Sequence, residues 1–223
     1  VQLGVRTDSD DLEGEVLDRQ QPPQLSPSDL ETALEPFRGL IQQRPPAISA
    51  VHVNGQRAYK LARAGESVEL QARPVTLHRL ELLHWDPELG RLELEVACSA
   101  GTYIRSLARD LGEALGCGGC LAQLQRTEAL GFSLEQSVNW EQLDALPPPA
   151  LVDPLDALSH LPKHPLTAEA LAGWRCGRLQ ACEPAWPSDT PVVVVGADGN
   201  LAGMARVQAS GQLQPRLVLD AAG

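Results

Sequence analysis

Five groups of residues have types and spacings that could do chemistry, and three of them fail on their own terms. Cys117-Gly118-Gly119-Cys120 has the spacing of half a zinc site, with Cys176 and Cys182 as the conceivable other half. Five residues separate that second pair, where zinc sites space theirs by about two to four, and no histidine adjoins it. Glycines that end a helix and cysteines that act as small core residues are the better account. Asp8, Asp10, Asp11, Glu13 and Glu15 imitate a calcium loop in composition but not in order. Counted from Asp8, the glycine and glutamate positions of such a loop hold Glu13 and Arg19, so a solvated acidic loop is expected. His52, His78, His84, His160 and His164 lack metalloprotease spacing, and neither a nucleophile elbow nor a phosphate loop is present.

Two groups remain. Residues 38 to 79 carry seven Lys and Arg against Glu66 and Glu69, a local charge of +5 with His52 and His78 inside it. That pattern suits either an anion-binding face or an ordinary solvated one. The other group lies in the run from Cys98 through Ser99-Ala100-Gly101-Thr102-Tyr103-Ile104-Arg105 to Gly112. Function often collects where a strand hands the chain to a turn and a helix. On residue type alone Tyr103 is a half-buried aromatic and Arg105 a solvated helix residue.

The elements that must position these groups are legible. Val1 to Val5 alternates like a strand already under way, which suggests a natural chain extending further toward its N-terminus. Ser26-Pro27 with Asp29 is a capping-box helix start; Leu30, Ala33, Leu34 and Phe37 share one apolar face, and Gly39 ends the helix. Pro45-Pro46 enforces an extended segment, Asn54-Gly55 marks a tight turn, and Arg57 to Arg63 reads as a short basic helix stopped by Gly65. Val75 to Trp85 and Arg91 to Cys98 form a hairpin. From Thr102 the period becomes helical: Ile104, Leu107, Ala108, Leu111 and Leu115 fall on one stripe, with Arg105, Arg109 and Glu113 on another. Pro147-Pro148-Pro149 and Pro154 mark the boundary between units 1–150 and 151–223. In the second, Thr167 caps a helix closed by Gly177, and 192–195, 201–207 and 216–219 make an antiparallel meander.

Composition limits the classes. At 223 residues and 43% hydrophobic, the chain can bury a sizeable core, and disorder, collagen and coiled coil are excluded. The longest apolar runs fall far short of the roughly 18 residues of a membrane helix, and no secretory signal opens the chain. Five thinly spread cysteines suit a reducing compartment. A soluble cytoplasmic protein is expected. The net charge of −11 argues against a nucleic-acid partner until it is divided: residues 1 to 35 alone hold −7, which leaves the basic stretch available.

The segment Thr102-Tyr103-Ile104-Arg105 closely resembles the Tyr-Ile-Arg motif of the TruB-type tRNA pseudouridine synthases. Arg6-Thr7-Asp8 with Asp11 and Gly14, Pro45-Pro46 with Ser49-Ala50, and Gly55 with Arg57, Tyr59 and Ala62-Arg63-Ala64-Gly65 fall in family order. So do Arg73-Pro74-Val75 and Gly116-Cys117-Gly118 followed by Leu124 and Arg126. The resemblance covers residues 1 to about 165 well, and more loosely the C-terminal unit.

The resemblance implies an α+β pseudouridine synthase fold, a mixed and mostly antiparallel sheet flanked by helices, with a small β-rich C-terminal module like the RNA-binding PUA domain. It implies isomerisation of a uridine in the T-loop of tRNA (position 55) without metal or cofactor, by a protein that acts as a monomer. The base is flipped into a pocket, and an aspartate serves as nucleophile. Tyr103 matches the tyrosine that contacts the flipped base and takes part in proton transfer. Arg105 matches the arginine that pairs with the catalytic carboxylate, and Leu124 an apolar wall of the base pocket. Arg57, Tyr59, Lys60 and Arg63 are candidates for contacts to the tRNA backbone. The family aspartate lies in a glycine- and threonine-rich segment, toward the N-terminus, that these residues do not contain, and neither Asp8 nor Asp110 replaces it. The piece alone is therefore expected to be inactive. Ile48 stands in place of a usual aromatic, and Ala100, His52 and Cys120 in place of Lys, Lys and His. Two other readings stay open: a tRNA-binding or tRNA-folding protein without catalysis, and a synthase acting on another RNA.

Overall fold

The computed structural model describes residues 1–53, 55–65, 70–145, 147–182 and 186–220, without the side chains of Ala62 and Arg63. The chain divides into two compact units, Val1–Gln125 and Arg126–Gly223.

The first unit is built on a five-stranded sheet. Its strands are β1 (Gln2–Leu3), β4 (Gly39–Gln43), β7 (Arg73–Asp86), β8 (Arg91–Cys98) and β9 (Gly119–Cys120), in the order β4-β7-β8-β1-β9 and antiparallel throughout. Small hairpins pair β2 (Val5–Thr7) with β3 (Val16–Arg19) and β5 (His52–Val53) with β6 (Gln56–Arg57). The helices are α1 (Pro27–Leu34), α2 (Ala58–Arg63) and α3 (Ile104–Ala114). The expected capping box is present: Ser26 accepts from the Asp29 N–H, and Asp29 accepts from the Ser26 N–H at 2.8 Å. Leu30 and Leu34 of α1 and Leu107 and Leu111 of α3 pack on Leu77, Leu80 and Leu92 of the central hairpin, which forms the main core. The apolar stripe of α3 read from its 3.6-residue period is the face that is buried.

One detail differs from expectation. Gly39 does not simply stop a helix: a 3-10 turn at Glu35–Phe37 intervenes, and Gly39, at a φ of 77°, opens the edge strand β4. That strand lacks an alternating pattern because only Gln43 within it is buried. The two compact units divide at 125/126, and the prolines near 150 lie within the second. Beyond Gln125 the chain leaves the first sheet for local structure: the hairpin of β10 (Glu128–Ala129) with β11 (Phe132–Ser133), then the one-turn helices α4 (Trp140–Leu143) and α5 (Pro154–Ala157).

The second unit closes on β12 (Lys163–Pro165), α6 (Ala168–Arg175), β13 (Gln180–Ala181) and a meander of β14 (Pro191–Val195), β15 (Leu201–Val207) and β16 (Gln212–Val218). The sheet order is β12-β14-β15-β16-β13, with β12 parallel to β14. Thr167 caps α6 by accepting from the Ala170 N–H. Trp174 of α6 is fully buried on Val192, Val194 and Leu213 and donates its indole N–H to Ala202 O at 2.9 Å. Among the described residues no helix is long and apolar enough to cross a membrane.

Candidate active site

The junction between β8 and α3 is shaped by local hydrogen bonds. The Ser99 N–H donates to Thr76 O, Thr102 Oγ1 donates back to Ser99 O at 2.9 Å, and Gly101 turns the chain with a φ of 86°. Tyr103 is the N-cap residue of α3, and a tyrosine cannot supply the usual capping oxygen. A side chain from β4 satisfies a different group, the N–H of the cap residue itself: Gln43, 2% exposed, accepts from the Tyr103 N–H at 2.8 Å. The half-buried ring of Tyr103 packs against a small cluster of Val51, Ala58 and Leu70, in which Ala58 opens the basic helix α2. The β5–β6 hairpin and α2 fold back onto the segment before them through Ala58 N–H to Val51 O (2.7 Å), Tyr59 N–H to Ser49 O (3.0 Å) and Arg57 Nη1 to Ala50 O (2.6 Å). The exposed Arg57 and Lys60 thus lie on an element anchored beside Tyr103. The side chain of Arg63 and the turn residue Asn54 lie outside the described residues.

Arg105, on the first turn of α3, reaches two distant segments. Nη1 donates to Ser9 O at 2.9 Å and to Asp11 Oδ2 at 3.2 Å, and Nη2 donates to Ile48 O at 2.9 Å. A guanidinium has five N–H donors. Nε and the second hydrogen of Nη2 are left available among the described residues, with the side chain 25% exposed.

The acidic loop is only partly the solvated segment its composition suggested: Asp8, Glu13 and Glu15 are exposed, but Asp10 and Asp11 are half-buried. Thr7 and Ser9 are buried, and the Asp10 and Asp11 side chains are 13% and 23% exposed. Thr7 Oγ1 donates to Asp11 O, Ser9 Oγ to Asp11 Oδ1, and the Glu15 N–H to Asp8 Oδ1. Leu12 N–H to Leu121 O and Leu121 N–H to Asp10 O bond the loop to the chain after β9. Sequence reasoning missed these partners because Asp11 and Arg105 stand 94 positions apart. The one available signal was that Asp11 belongs to an ordered set of motif residues.

Other candidates are placed less centrally. Leu124 is 60% exposed on the coil after Leu121 and is not part of the apolar cluster that holds Tyr103. Cys117 and Cys120 are buried, and that burial pushes both thiols up, away from the thiolate a metal or a nucleophilic role requires. Among the described residues no three His, Cys, Asp or Glu side chains are grouped to hold a metal ion.

Solved structures share this fold. The crystal structure of a Cbf5-Nop10-Gar1 complex superimposes with a TM-score of 0.63 at 18% identity, covering 90% of this chain and 63% of that one. An H/ACA RNP bound to a substrate RNA containing 2′-deoxyuridine gives 0.57 at 17% identity, covering 88% and 62%. The chain thus spans somewhat less than two thirds of each of those chains. Family models agree with the sequence motifs: the TruB family pseudouridylate synthase N-terminal domain matches residues 1–104, and the tRNA pseudouridylate synthase B C-terminal domain matches 105–156. The tRNA pseudouridine synthase B of Parasynechococcus marenigrum (strain WH8102) is 61% identical over the whole chain, and that of Synechococcus sp. (strain WH7803) is 52% identical; the chain covers 76% of each. The chain belongs to the TruB family of pseudouridylate synthases.

Proposed function

We propose that the chain is the greater part of a cytoplasmic, monomeric tRNA pseudouridine synthase that acts on the T-loop uridine. In the reaction the N1–C1′ bond of the uridine breaks, the base turns, and a C5–C1′ bond forms while C5 gives up its proton and N1 gains one. Tyr103 supplies a ring for the flipped base, for which stacking is worth about 1–3 kcal/mol. Arg105 holds the nucleophilic aspartate ionised. The observation that carries this reading is the bonding of Arg105. Its guanidinium is oriented by Ser9, Asp11 and Ile48 yet keeps two N–H groups, as a residue that must still receive a carboxylate needs. Leu124 serves as an apolar wall for the base, and Arg57, Tyr59, Lys60 and Arg63 contact the RNA backbone. The C-terminal sheet acts as a PUA-like RNA-binding module.

The test is site mapping of pseudouridine in tRNA transcripts treated with the intact enzyme. Modification confined to the T-loop is expected. Tight tRNA binding with no modified base would establish the binding-only reading, and modification confined to other RNAs would establish a different substrate.

A further inference from the structure

Arg109 lies one turn beyond Arg105 on α3, so the two guanidinium groups project from the same side of the helix. Both reach the same pair of segments. Arg105 bonds Ser9 and Asp11 on one side and Ile48 on the other. Arg109 bonds Asp10 through Nη1 at 2.8 Å and Arg44 O through Nη2 at 2.8 Å. Ser106 adds a further bond to Arg44 O at 2.8 Å. Unlike Arg105, Arg109 has no nitrogen left over, because Nε and Nη2 also lie 2.8 Å from Asp110 Oδ1. Counted by N–H groups it keeps one, the second of Nη1, where Arg105 keeps two, so it has less to offer a phosphate or a reacting carboxylate.

We infer that Arg109 is a positioning residue for the isomerisation: by clamping Asp10 it holds the loop that carries Asp11 against α3, and so sets the orientation of the Arg105 guanidinium. The inference rests on the function proposed above. Two features of Asp10 support it. Asp10 has a φ of 62°, a left-handed conformation uncommon for a non-glycine residue, although Asp tolerates it better than most. Its carboxylate is mostly buried, and burial pushes Asp10 and Asp110 above the usual carboxylate range while the Arg109 charge works against that rise. Removing the arginine leaves two partly buried carboxylates, Asp10 on the loop and Asp110 on α3, without their shared partner.

The experiment compares Arg109→Gln, Arg109→Lys, Asp10→Asn and the double variant Asp10→Asn/Arg109→Gln in the intact enzyme. Arg109→Gln is expected to lower kcat about tenfold with KM for tRNA within about twofold, the pattern of a contact that matters after binding. Arg109→Lys should recover part of the loss, and the double variant should be no worse than Arg109→Gln alone. Amide exchange at Leu12 and Gly14 should accelerate in Arg109→Gln. Unchanged exchange of those amides overturns the inference whatever the activity, and unchanged kcat with faster exchange overturns the link to catalysis. If Arg109→Gln does not fold, Asp10→Asn decides, since asparagine tolerates the same φ: reduced kcat at normal melting temperature supports the inference, and parental kcat refutes it. A parent enzyme that makes no pseudouridine would overturn the function proposed above; the exchange result would still report on the clamp.

Discussion

At the residue scale the site is two arginines with different jobs. Arg105 keeps free donors and Arg109 spends all of its nitrogens, although both belong to the same helical stripe in the sequence. For Arg105→Ala in the intact enzyme we expect kcat to fall on the order of a hundredfold or more, as for removal of a group that stabilises reacting charge. Affinity for tRNA should change little, because the guanidinium faces Ser9, Asp11 and Ile48; filter binding alongside single-turnover kinetics checks both. Arg109 makes a pH prediction. Burial raises the Asp10 and Asp110 carboxyls, so the folded state binds these protons more tightly than the unfolded chain. Their protonated forms favour folding at low pH, and that contribution is lost as pH rises through the raised values. Without Arg109 the ionised pair loses its main counter-charge and keeps only the smaller attractions of Arg105 on Asp10 and Arg44 on Asp110, so the destabilisation by Arg109→Gln should be larger at pH 7 than near pH 4, as measured by urea melts at both.

At the element scale α3 can carry this site only because it lies close against the chain before β9. A Cβ on Gly112 would sit 2.2 Å from Gly118 C and Gly119 N, and one on Gly119 would sit 2.6 Å from Ala108 O. No side-chain rotation relieves contact with backbone. Gly112→Ala is therefore expected to cost more than about 2 kcal/mol in chemical denaturation, against the gain of about 1 kcal/mol that the same change brings at an open helical position. The helix itself was legible from its period, as were the Ser26 cap and the Arg91–Cys98 strand. The bond from the Tyr103 N–H to Gln43 was not, because Gln43 sits 60 positions away on a strand with no alternation to reveal it.

At the scale of the whole molecule an acidic chain must bind a polyanion. With a net charge of −11, the sum cannot favour RNA, so affinity must come from the locally basic residues that include α2. Lys60 is exposed on that helix, beside the cluster that packs Tyr103. Replacing it with Gln should weaken tRNA binding and reduce the slope of log affinity against log salt by about one. A slope equal to the parent's would remove Lys60 from the interface. The second unit carries its own core around Trp174.

Period, caps and glycine turns are properties of neighbouring residues, and from them helices α1, α2, α3 and α6, the central hairpin, the C-terminal meander and the motif around Tyr103 follow without coordinates. Charge pairing is different. Asp10 and Asp11 look like solvent-facing acids until the antiparallel sheet carries them across nearly a hundred residues to the flank of α3. Burial there and the fixed charges of Arg105 and Arg109 turn a hydrophilic loop into the frame of the site, because the strength of an ion pair depends on distance and desolvation in space and not on order along the chain.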